Sequence, residues 1–498
     1  MNHRPICSAR SGQRYRGCSA GLIGSYAQQA ASLSSSGGLT AKWFDDRRFA
    51  RIQSVNTTGK GGCGMSAQDA ALVSELISRR AVGLPGNPFA EADARAAAAI
   101  AAGHDIIDLS KGNPDGQPPS FVQDALAQAA HDPGLFRYPP FDGVPQYLNA
   151  IAVWYEREHG VTVDPATQLL ATSGSSVGIA TVIQALIDPG DTVVAVDPYY
   201  PQYEGSTSVA GGRFETIPAD AGHGFLPDLD AVDAELWERA KLLVLNYPNN
   251  PTGAVASPEL YASAVRLAKR YGFIVLNDFA YAGLEFGEAH SLSLLETPGA
   301  LDVAVELGSL SKMFMVAGWR GGFVAGNAEV LGAVKAVHRQ TAVLASSVIQ
   351  QAGAIALNSD QSTVKDLAVQ YQHRFEVVRD GLDGSGLDIA QAHGGLFAWA
   401  RIPGQWGRVN DVDAGDSGAG DLPNAEAEGA VTHAVTHAAV GVSDAFVEWL
   451  LNTAGVALMP GTCFGKNGEG WVRISLLKHT ADLYQAVSRI RRVLDDMR

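Results

Sequence analysis

One lysine of this sequence lies where a reactive amine could form. Lys312 follows the strand-like run Val303–Leu307 and stands among small and apolar residues. Desolvation lowers the pKa of an amine and makes it a nucleophile toward aldehydes. Ser309, Ser311 and Arg320 are close by in the sequence and could bind a phosphate group together. The pattern therefore predicts a nucleophilic lysine beside a phosphate site.

An aspartate extends this chemistry. Asp278 follows the run Phe273–Leu276, so we expect it to be half buried and to need a partner. It could be a structural acid in a salt bridge, or it could hold a cationic nitrogen of a ligand. An imine-forming lysine, a phosphate clamp and an aspartate that keeps a ring nitrogen protonated together describe a site for pyridoxal 5′-phosphate.

Further polar residues follow other strand-like runs. Ser173, Gly174 and Ser175 join a strand to a helix, whose free N–H groups favour an anion. Tyr200 could stack on a flat ligand or pack in the core. Asn250 lies in a stiff turn with two prolines. In open parallel sheets ligands bind beyond the carboxyl ends of the strands, so we expect these residues to meet there.

The elements that must position these residues alternate along the chain. Strand-like runs are separated by helical segments such as Val177–Leu186 and Pro258–Tyr271, and an Ala-rich helix precedes them near Glu91–Gly103. The runs are Gln168–Thr172, Thr192–Val196, Lys241–Leu245, Phe273–Leu276 and Val303–Leu307. This alternation predicts an α/β fold with a mostly parallel sheet buried under helices. After about residue 365 the pattern is mixed, which is typical of a smaller α+β domain.

Two segments differ from the rest of the 498 residues, whose formal net charge is −15. Residues 1–64 hold nine basic and two acidic residues, and residues 1–44 hold no acid. This segment could be a transit peptide, but we favour a disordered basic leader. Residues 409–442 hold six acidic residues and no Lys or Arg, which predicts a solvated insertion.

Composition excludes several classes of function. The acidic balance argues against a nucleic acid or an anionic membrane as the main partner. We find no run of 18 apolar residues, so we predict no membrane span. Four cysteines favour a reducing compartment, hence a cytoplasmic protein. We predict no metal site, because His433 and His437 have no neighbouring acid to complete one.

The motifs together resemble the class I/II aminotransferases of fold type I. Asn250-Pro251-Thr252-Gly253, the pair Asp278 and Tyr281, and Ser309-x-Ser311-Lys312 with Arg320 occur in the family's order. The sequence is most similar to the aspartate, alanine and LL-diaminopimelate aminotransferase branch. The resemblance implies a large domain with a mostly parallel seven-stranded sheet sandwiched by helices, and a smaller α+β domain. We place an arm and the first part of the small domain at 65–117, the large domain at 118–364 and the rest of the small domain at 365–498.

The resemblance also implies a role for each residue. Lys312 is the Schiff-base lysine, Asp278 pairs with the pyridine nitrogen, Tyr281 and Asn250 bind the ring hydroxyl oxygen, and Tyr200 stacks on the ring. Ser173, Gly174, Ser175, Ser309 and Arg320 bind the phosphate, and Tyr138 reaches the phosphate of a partner subunit, which implies a homodimer. Gly112 lies in the loop near the substrate carboxylate, and Arg473 binds the α-carboxylate through two parallel N–H···O hydrogen bonds.

The implied activity is ping-pong transamination between an L-amino acid and a 2-oxo acid, part of amino acid metabolism. Glutamate with 2-oxoglutarate is the default pair. The same site would support a carbon–sulfur β-lyase, which needs no oxo acid acceptor. A third alternative is a pyridoxal phosphate-binding transcription regulator, although residues 1–64 are Gly/Ser-rich and lack the periodic helices of a winged-helix domain.

Overall fold

The computed structural model describes residues 76–287, 291–342, 344–404, 406 and 441–497. The elements below belong to the unit Ile77–Arg498. The predicted leader at 1–64 and residues 409–440 of the predicted insertion lie outside the described residues. In the described part of the chain, no helix is long and apolar enough to cross a membrane.

Thirteen strands occur in the described residues. They are β1 (Ile107–Asp108), β2 (Leu169–Thr172), β3 (Thr192–Asp197), β4 (Arg213–Pro218), β5 (Ala240–Leu245), β6 (Ile274–Asp278), β7 (Ala304–Ser309), β8 (Gly322–Gly326), β9 (Asp388–Ile389), β10 (Phe397–Arg401), β11 (Val456–Ala457), β12 (Met459–Pro460) and β13 (Trp471–Ser475). Each of the five predicted runs coincides with one of them.

Seven of these strands form the central sheet, in the order β2-β8-β7-β6-β5-β3-β4. Strand β8 is antiparallel to β2 and β7, and the other pairs are parallel. Along β3, Val193 and Ala195 belong to one apolar cluster whereas Val194 and Val196 belong to another. Both faces are therefore buried, as a parallel sheet between helices requires. The predicted α/β fold with a mostly parallel seven-stranded sheet is confirmed.

Fourteen α-helices are found among the described residues. They are α1 (Arg79–Val82), α2 (Pro88–Ala101), α3 (Ser120–Ala130), α4 (Pro145–His159), α5 (Ser175–Leu186), α6 (Gln202–Ala210), α7 (Ala234–Arg239), α8 (Pro258–Tyr271), α9 (Leu310–Met313), α10 (Ala328–Thr341), α11 (Ser347–Leu357), α12 (Ser362–Leu382), α13 (Val442–Ala454) and α14 (Thr480–Asp495). Helix α13 begins at Val442, the last residue of the predicted insertion.

A smaller sheet has the order β12-β13-β10-β9 and is antiparallel. Strand β1, far earlier in the chain, pairs in parallel with β11, so residues 107–108 join the C-terminal part of the fold. The domain bounds 65–117, 118–364 and 365–498 remain predictions.

A buried ion pair fixes the loop that follows β1. Arg374 on α12 binds Asp115 through two N–H···O bonds of 2.9 Å each, and Arg374 Nη1 also donates to the carbonyl oxygen of Leu476 at 2.9 Å. The side chains are only 4% and 13% exposed. Such a fork between guanidinium and carboxylate holds both groups in one orientation.

We expect Arg374→Met to lower the free energy of unfolding by about 3–5 kcal/mol, because it leaves the Asp115 carboxylate buried without its cation. Urea denaturation measures the change. The double variant Arg374→Met/Asp115→Asn should regain part of the loss, since no unpaired charge remains.

The exposed pair Lys269–Asp302, 2.6 Å apart, provides the control. Lys269→Met should cost less than about 1 kcal/mol, because solvent screens that pair. Equal losses for Arg374→Met and Lys269→Met would contradict the prediction.

Candidate active site

A cleft of about 340 Å³ lies beyond the carboxyl ends of the central strands. Ten of the predicted site residues line it: Gly112, Ser175, Tyr200, Asn250, Asp278, Tyr281, Ser309, Lys312, Arg320 and Arg473. Three do not: Ser173 and Gly174 lie just before α5, and Tyr138 is 97% exposed. Lysine, aspartate and two arginines are thus brought together from distant parts of the sequence.

Lys312 lies on the short helix α9, directly after β7. The side chain of Ser309 caps this helix by accepting a hydrogen bond from the N–H of Ser311 at 3.2 Å. The Lys312 ammonium donates to the carbonyl oxygen of Gly112. Burial, helped by the positive charges of Arg473 and Arg320, lowers the pKa of Lys312 to about 8. A lysine in this state supplies neutral, nucleophilic amine near neutral pH.

Asp278 is the last residue of β6 and is 4% exposed. Its Oδ2 accepts a hydrogen bond from the Tyr203 hydroxyl at 2.8 Å, whereas its Oδ1 is buried and has no hydrogen-bond partner in the described part of the protein. Burial raises the pKa of this carboxyl to about 6. A buried carboxylate with one unused oxygen is suited to a cationic N–H donor. Tyr203 was not predicted, because the direction of an α6 side chain cannot be read from the sequence.

Small hydroxyl residues and Arg320 occupy the other end of the cleft. Ser175 and Ser176 begin α5, and Ser309 and Ser311 flank the start of α9. These hydroxyls, the α5 N-terminus and the guanidinium are groups that can bind an anion together. The sequence did not assign a binding role to Ser176.

Gly174 does not line the cleft, but its lack of a side chain leaves room for Arg320. Its φ is +88°, and a Cβ atom there would lie 2.5 Å from Nη2 of Arg320. Only glycine therefore lets the guanidinium occupy its position. Arg320 itself adopts φ 56° and donates through Nη1 to the carbonyl oxygen of Ala317 at 3.0 Å.

Arg473 on β13 is 1% exposed. Its Nη1 donates to Oδ1 of Asn250 at 3.0 Å and its Nη2 to the carbonyl oxygen of Ser110 at 2.6 Å, while its buried Nε has no hydrogen-bond partner among the described atoms. The guanidinium carbon lies 4.0 Å from the centre of the Phe397 ring. Burial lowers its pKa to about 10, so it stays cationic at neutral pH and can receive a carboxylate.

Asn250 connects the arginine with the ring-binding side of the cleft. Its N–H donates to Oδ1 of Asn246 at 3.0 Å, and Nδ2 of Asn246 donates to the carbonyl oxygen of Asp278 at 2.7 Å. A hydrogen bond from Asn250 opposes the larger effect of burial, which raises the pKa of the Tyr281 hydroxyl. Tyr281 is therefore a neutral hydroxyl that can donate to a ligand oxygen.

Helix α2 forms one wall of the cleft, which the sequence analysis missed. Phe89, Ala92 and Asp93 line the cleft from this helix. The Phe89 ring lies 6.0 Å from the Tyr200 ring and 5.6 Å from the Arg473 guanidinium. Their i, i+3, i+4 spacing predicts that the three residues share one face of the helix. The sequence does not indicate that this face borders the cleft.

The family model "Aminotransferase class I and II" matches residues 104–490. The chain belongs to this aminotransferase family. It is thus a pyridoxal phosphate-dependent transaminase, as predicted, and its substrates are an amino acid and a 2-oxo acid.

Individual relatives agree with this assignment. The aminotransferase is 37% identical over 84% of its chain to an LL-diaminopimelate aminotransferase of Desulforudis audaxviator, covering 98% of that protein. It is 35% identical over 82% of its chain to the L-glutamine–4-(methylsulfanyl)-2-oxobutanoate aminotransferase of Bacillus subtilis, covering 94% of it. A solved structure, a probable N-succinyldiaminopimelate aminotransferase from Thermus thermophilus, matches with TM-score 0.71 and 32% identity over 82% of this chain and all of that one. The predicted branch is confirmed.

The residues present fit the family's cofactor. The unused Oδ1 of Asp278 suits a protonated ring nitrogen, and the hydroxyls around Arg320 suit a phosphate. The amine of Lys312 lies in the same cleft as both groups.

Proposed function

We propose that this aminotransferase converts an L-amino acid and a 2-oxo acid with Lys312 as its catalytic lysine, Asp278 as the partner of the ring nitrogen and Arg473 as the receptor of the α-carboxylate. The observation that carries the proposal is the buried, unused Oδ1 of Asp278 in the cleft that also holds the Lys312 amine. A cationic ligand nitrogen beside that oxygen explains why a carboxylate is kept half-partnered there.

Bound pyridoxal phosphate supplies the electron sink that stabilises negative charge at the substrate Cα. Asp278 holds the proton on the ring nitrogen by its charge, and Tyr203 orients the carboxylate from the other side. Lys312 would take the proton from the substrate Cα and deliver it to the cofactor's C4′ carbon, on the other side of the substrate nitrogen. Asn250 and Tyr281 would hold the ring hydroxyl oxygen of the cofactor, and Tyr200 would pack against the ring.

The remaining roles concern the two anionic groups. Ser175, Ser309 and Arg320 bind the phosphate, and Ser173 and Gly174 shape the turn before α5. Arg473 offers its unused Nε and its charge to the α-carboxylate, and Gly112 places the loop beside it. Ser309 and Arg473 are buried, whereas Arg320 is exposed. Burial therefore strengthens above all the interaction of Arg473 with a carboxylate.

The protonation state of Lys312 determines how the rate of cofactor binding depends on pH. Because its pKa is lowered to about 8, the neutral amine increases as pH rises and becomes the main form above about pH 8. We expect the rate at which the apoenzyme combines with pyridoxal phosphate to rise with pH up to that value and then level off. Stopped-flow absorbance measures the rate, and Nα-acetyl-lysine serves as the reference amine. A rate that levels off only near the reference amine's pKa of about 10.4 would contradict the prediction.

We further propose a homodimer in which Tyr138 reaches the partner's phosphate site. Phe136, Tyr138 and Phe141 are 69%, 97% and 60% exposed within one short segment. An exposed aromatic patch of this kind is typical of an interaction surface. A dimer of this kind would complete each site with a residue of the other chain.

Light scattering tests the dimer. We expect twice the mass of one chain, and we expect Tyr138→Ala to weaken pyridoxal phosphate binding by about tenfold, the loss of one hydrogen bond to a charged group. Val369→Ala, at a 65% exposed position outside this patch, is the control. A fully active monomer would overturn the dimer proposal.

The donor, the acceptor and the location complete the proposal. Glutamate with 2-oxoglutarate is the default pair, and the low cysteine content favours the cytoplasm. A panel of amino acids, each added without acceptor and scored by loss of the visible absorbance of the bound cofactor, identifies the donor. Release of pyruvate and ammonia from cystathionine without any oxo acid would instead favour the β-lyase alternative.

A further inference from the structure

The exposed segment that carries Tyr138 is fixed to its own chain directly after it. The Tyr138 side chain is 97% exposed, so contacts of its own ring do not determine where its hydroxyl lies. The position of the hydroxyl therefore depends on the backbone that carries it. Shortly after Tyr138, residues 142–144 make hydrogen bonds to helix α10, strand β2 and helix α11. These contacts set the position of the segment.

Asp142 is bound by an arginine of helix α10. Nη2 of Arg339 donates to Oδ1 of Asp142 at 2.7 Å and to Oδ2 at 2.9 Å, and Nε donates to Oδ1 at 3.2 Å. Nζ of Lys335 lies farther away, 3.6 Å from Oδ2, and donates instead to the carbonyl oxygen of Ala166 at 2.6 Å. Several hydrogen bonds from one planar guanidinium hold a carboxylate in one orientation, which a single exposed ion pair does not.

Main-chain contacts hold the same corner to strand β2 and helix α11. The carbonyl oxygen of Asp142 accepts from the N–H of Ala171 at 2.8 Å, and the N–H of Val144 donates to Oε1 of Gln350 at 2.6 Å. Gly143 lies between them at φ +129°, where a Cβ atom would lie 2.7 Å from the Cβ of Ala171. Because β2 leads into the turn before α5, the segment is fixed to the strand that ends at the chain's own phosphate site.

The ion pair is the part of this corner that depends on two particular side chains. The N–H and C=O groups would make their bonds with most residues at position 142, whereas the contact with Arg339 needs the carboxylate. Neither Asp142 nor Arg339 is among the described residues that line the cleft. An effect of this pair on cofactor binding must therefore pass through the segment that the pair holds.

We infer that Asp142 and Arg339 are positioning residues for the partner subunit's cofactor site, because they hold the segment from which the Tyr138 hydroxyl reaches the partner's phosphate. The inference rests on the proposed homodimer and deepens it. Each ion pair acts on the cofactor of the other chain and leaves the Lys312 site of its own chain unchanged. A pair that only stabilised its own chain would have no such direction.

Affinity for the cofactor in the homodimer gives the first test. Arg339→Met and Asp142→Asn should each weaken pyridoxal phosphate binding about fivefold, the size of a well-oriented ion pair near the surface. Combined with Tyr138→Ala, either change should cause less than about twofold further loss, because the group that the pair positions is already absent. Titration of the apoenzyme, followed by the visible absorbance of the bound cofactor, measures the affinities.

A second arginine provides a matched control. Arg239 donates to Glu215 at 3.0 Å through Nε and at 2.6 Å through Nη2, and the two side chains are 46% and 34% exposed. The corresponding values for Arg339 and Asp142 are 45% and 28%. Neither Arg239 nor Glu215 is a described residue of the cleft wall. Arg239→Met should change the affinity for pyridoxal phosphate less than about twofold.

Mixed dimers show the direction of the effect. One chain carries Lys312→Ala, so that only the site of the other chain gives the visible absorbance, and two different affinity tags allow the mixed dimer to be purified. With Arg339→Met on the Lys312→Ala chain, the remaining site should bind pyridoxal phosphate about fivefold more weakly. With Arg339→Met on the chain that keeps Lys312, the affinity should equal that of the wild-type site.

The outcomes separate the positioning role from the dimer. Equal losses in both arrangements, a loss only when Arg339→Met lies on the chain that keeps Lys312, or no loss in either would refute the positioning role. Tyr138→Ala, placed in the same two arrangements, tests the shared site itself. If Tyr138→Ala has no effect from the Lys312→Ala chain, or if the wild-type protein is a monomer, the proposed dimer is refuted and the positioning role with it.

Discussion

Replacing Lys312 with alanine is expected to abolish transamination. The variant loses the amine that we propose to bind the cofactor covalently and to move the proton at Cα, and removal of such a group from other enzymes costs about 10⁴–10⁶-fold in turnover. Lys312→Ala should also lack the visible absorbance that the cofactor acquires on the lysine. Coupled assay of the oxo acid product and the absorbance spectrum measure the two effects.

A second buried lysine provides the control. Lys335 on α10 is 7% exposed in its side chain, donates to the carbonyl oxygen of Ala166 at 2.6 Å and does not line the cleft. Lys335→Ala should lose stability but keep the absorbance of the bound cofactor. Retention of both turnover and absorbance by Lys312→Ala would refute the assignment of the catalytic lysine.

Replacing Asp278 with asparagine is expected to lower kcat/KM by about 10²–10³-fold, the cost of removing one preorganised electrostatic contact from an active site. The shape of the side chain and room for the Tyr203 hydrogen bond remain, so the cofactor should still bind. Single-turnover kinetics with a fixed donor locate the loss in the proton transfer at Cα.

The same substitution should stabilise the apoenzyme at neutral pH. The folded pKa of Asp278, about 6, lies above the ordinary value, so its contribution to stability is fully present below about pH 4 and is lost as pH rises through about 6. Above that pH the folded apoenzyme carries a buried ionised carboxylate, at a cost of about 3 kcal/mol. Urea denaturation of Asp278→Asn and wild-type apoenzyme at about pH 5 and pH 8 measures the difference.

Asp197 at the end of β3 is a matched control. It too is buried, has an Oδ1 without a hydrogen-bond partner among the described residues, and has its pKa raised to about 6 by burial, but it does not line the cleft. Asp197→Asn should reproduce the gain in stability and leave the proton transfer rate unchanged. If both variants slow proton transfer equally, Asp278 has no special electrostatic role.

The sequence predicted elements well where local chemistry marks them. Helix α8 has the predicted bounds Pro258–Tyr271, because Ser257 caps its start, Pro258 occupies the first turn and Gly272 ends it at φ 80°. Within the central sheet, strands β4 and β8 were missed. Strand β8 is a short run between glycines, and β4 is an edge strand with polar residues, so neither shows the apolar run of a buried strand.

The site was predictable to the extent that its residues follow strands. Lys312, Asp278 and Asn250 each lie just after or at the end of a strand, and the parallel sheet brings these ends together. Tyr203 and Asp93 were not predicted to lie near the cleft, because their positions depend on how α6 and α2 pack. Gly174 was predicted to bind a phosphate, yet the structure gives it the separate task of making room for Arg320.

The loop Ser110-Lys111-Gly112 divides its work between main chain and side chain. Ser110 and Gly112 meet Arg473 and Lys312 through carbonyl oxygens, which any amino acid would supply, whereas Lys111 meets Asp93 through its side chain. A point mutation at position 111 can therefore remove a side-chain ion pair without disturbing the carbonyl contacts of its neighbours. A one-residue insertion in the loop would instead displace all three contacts at once.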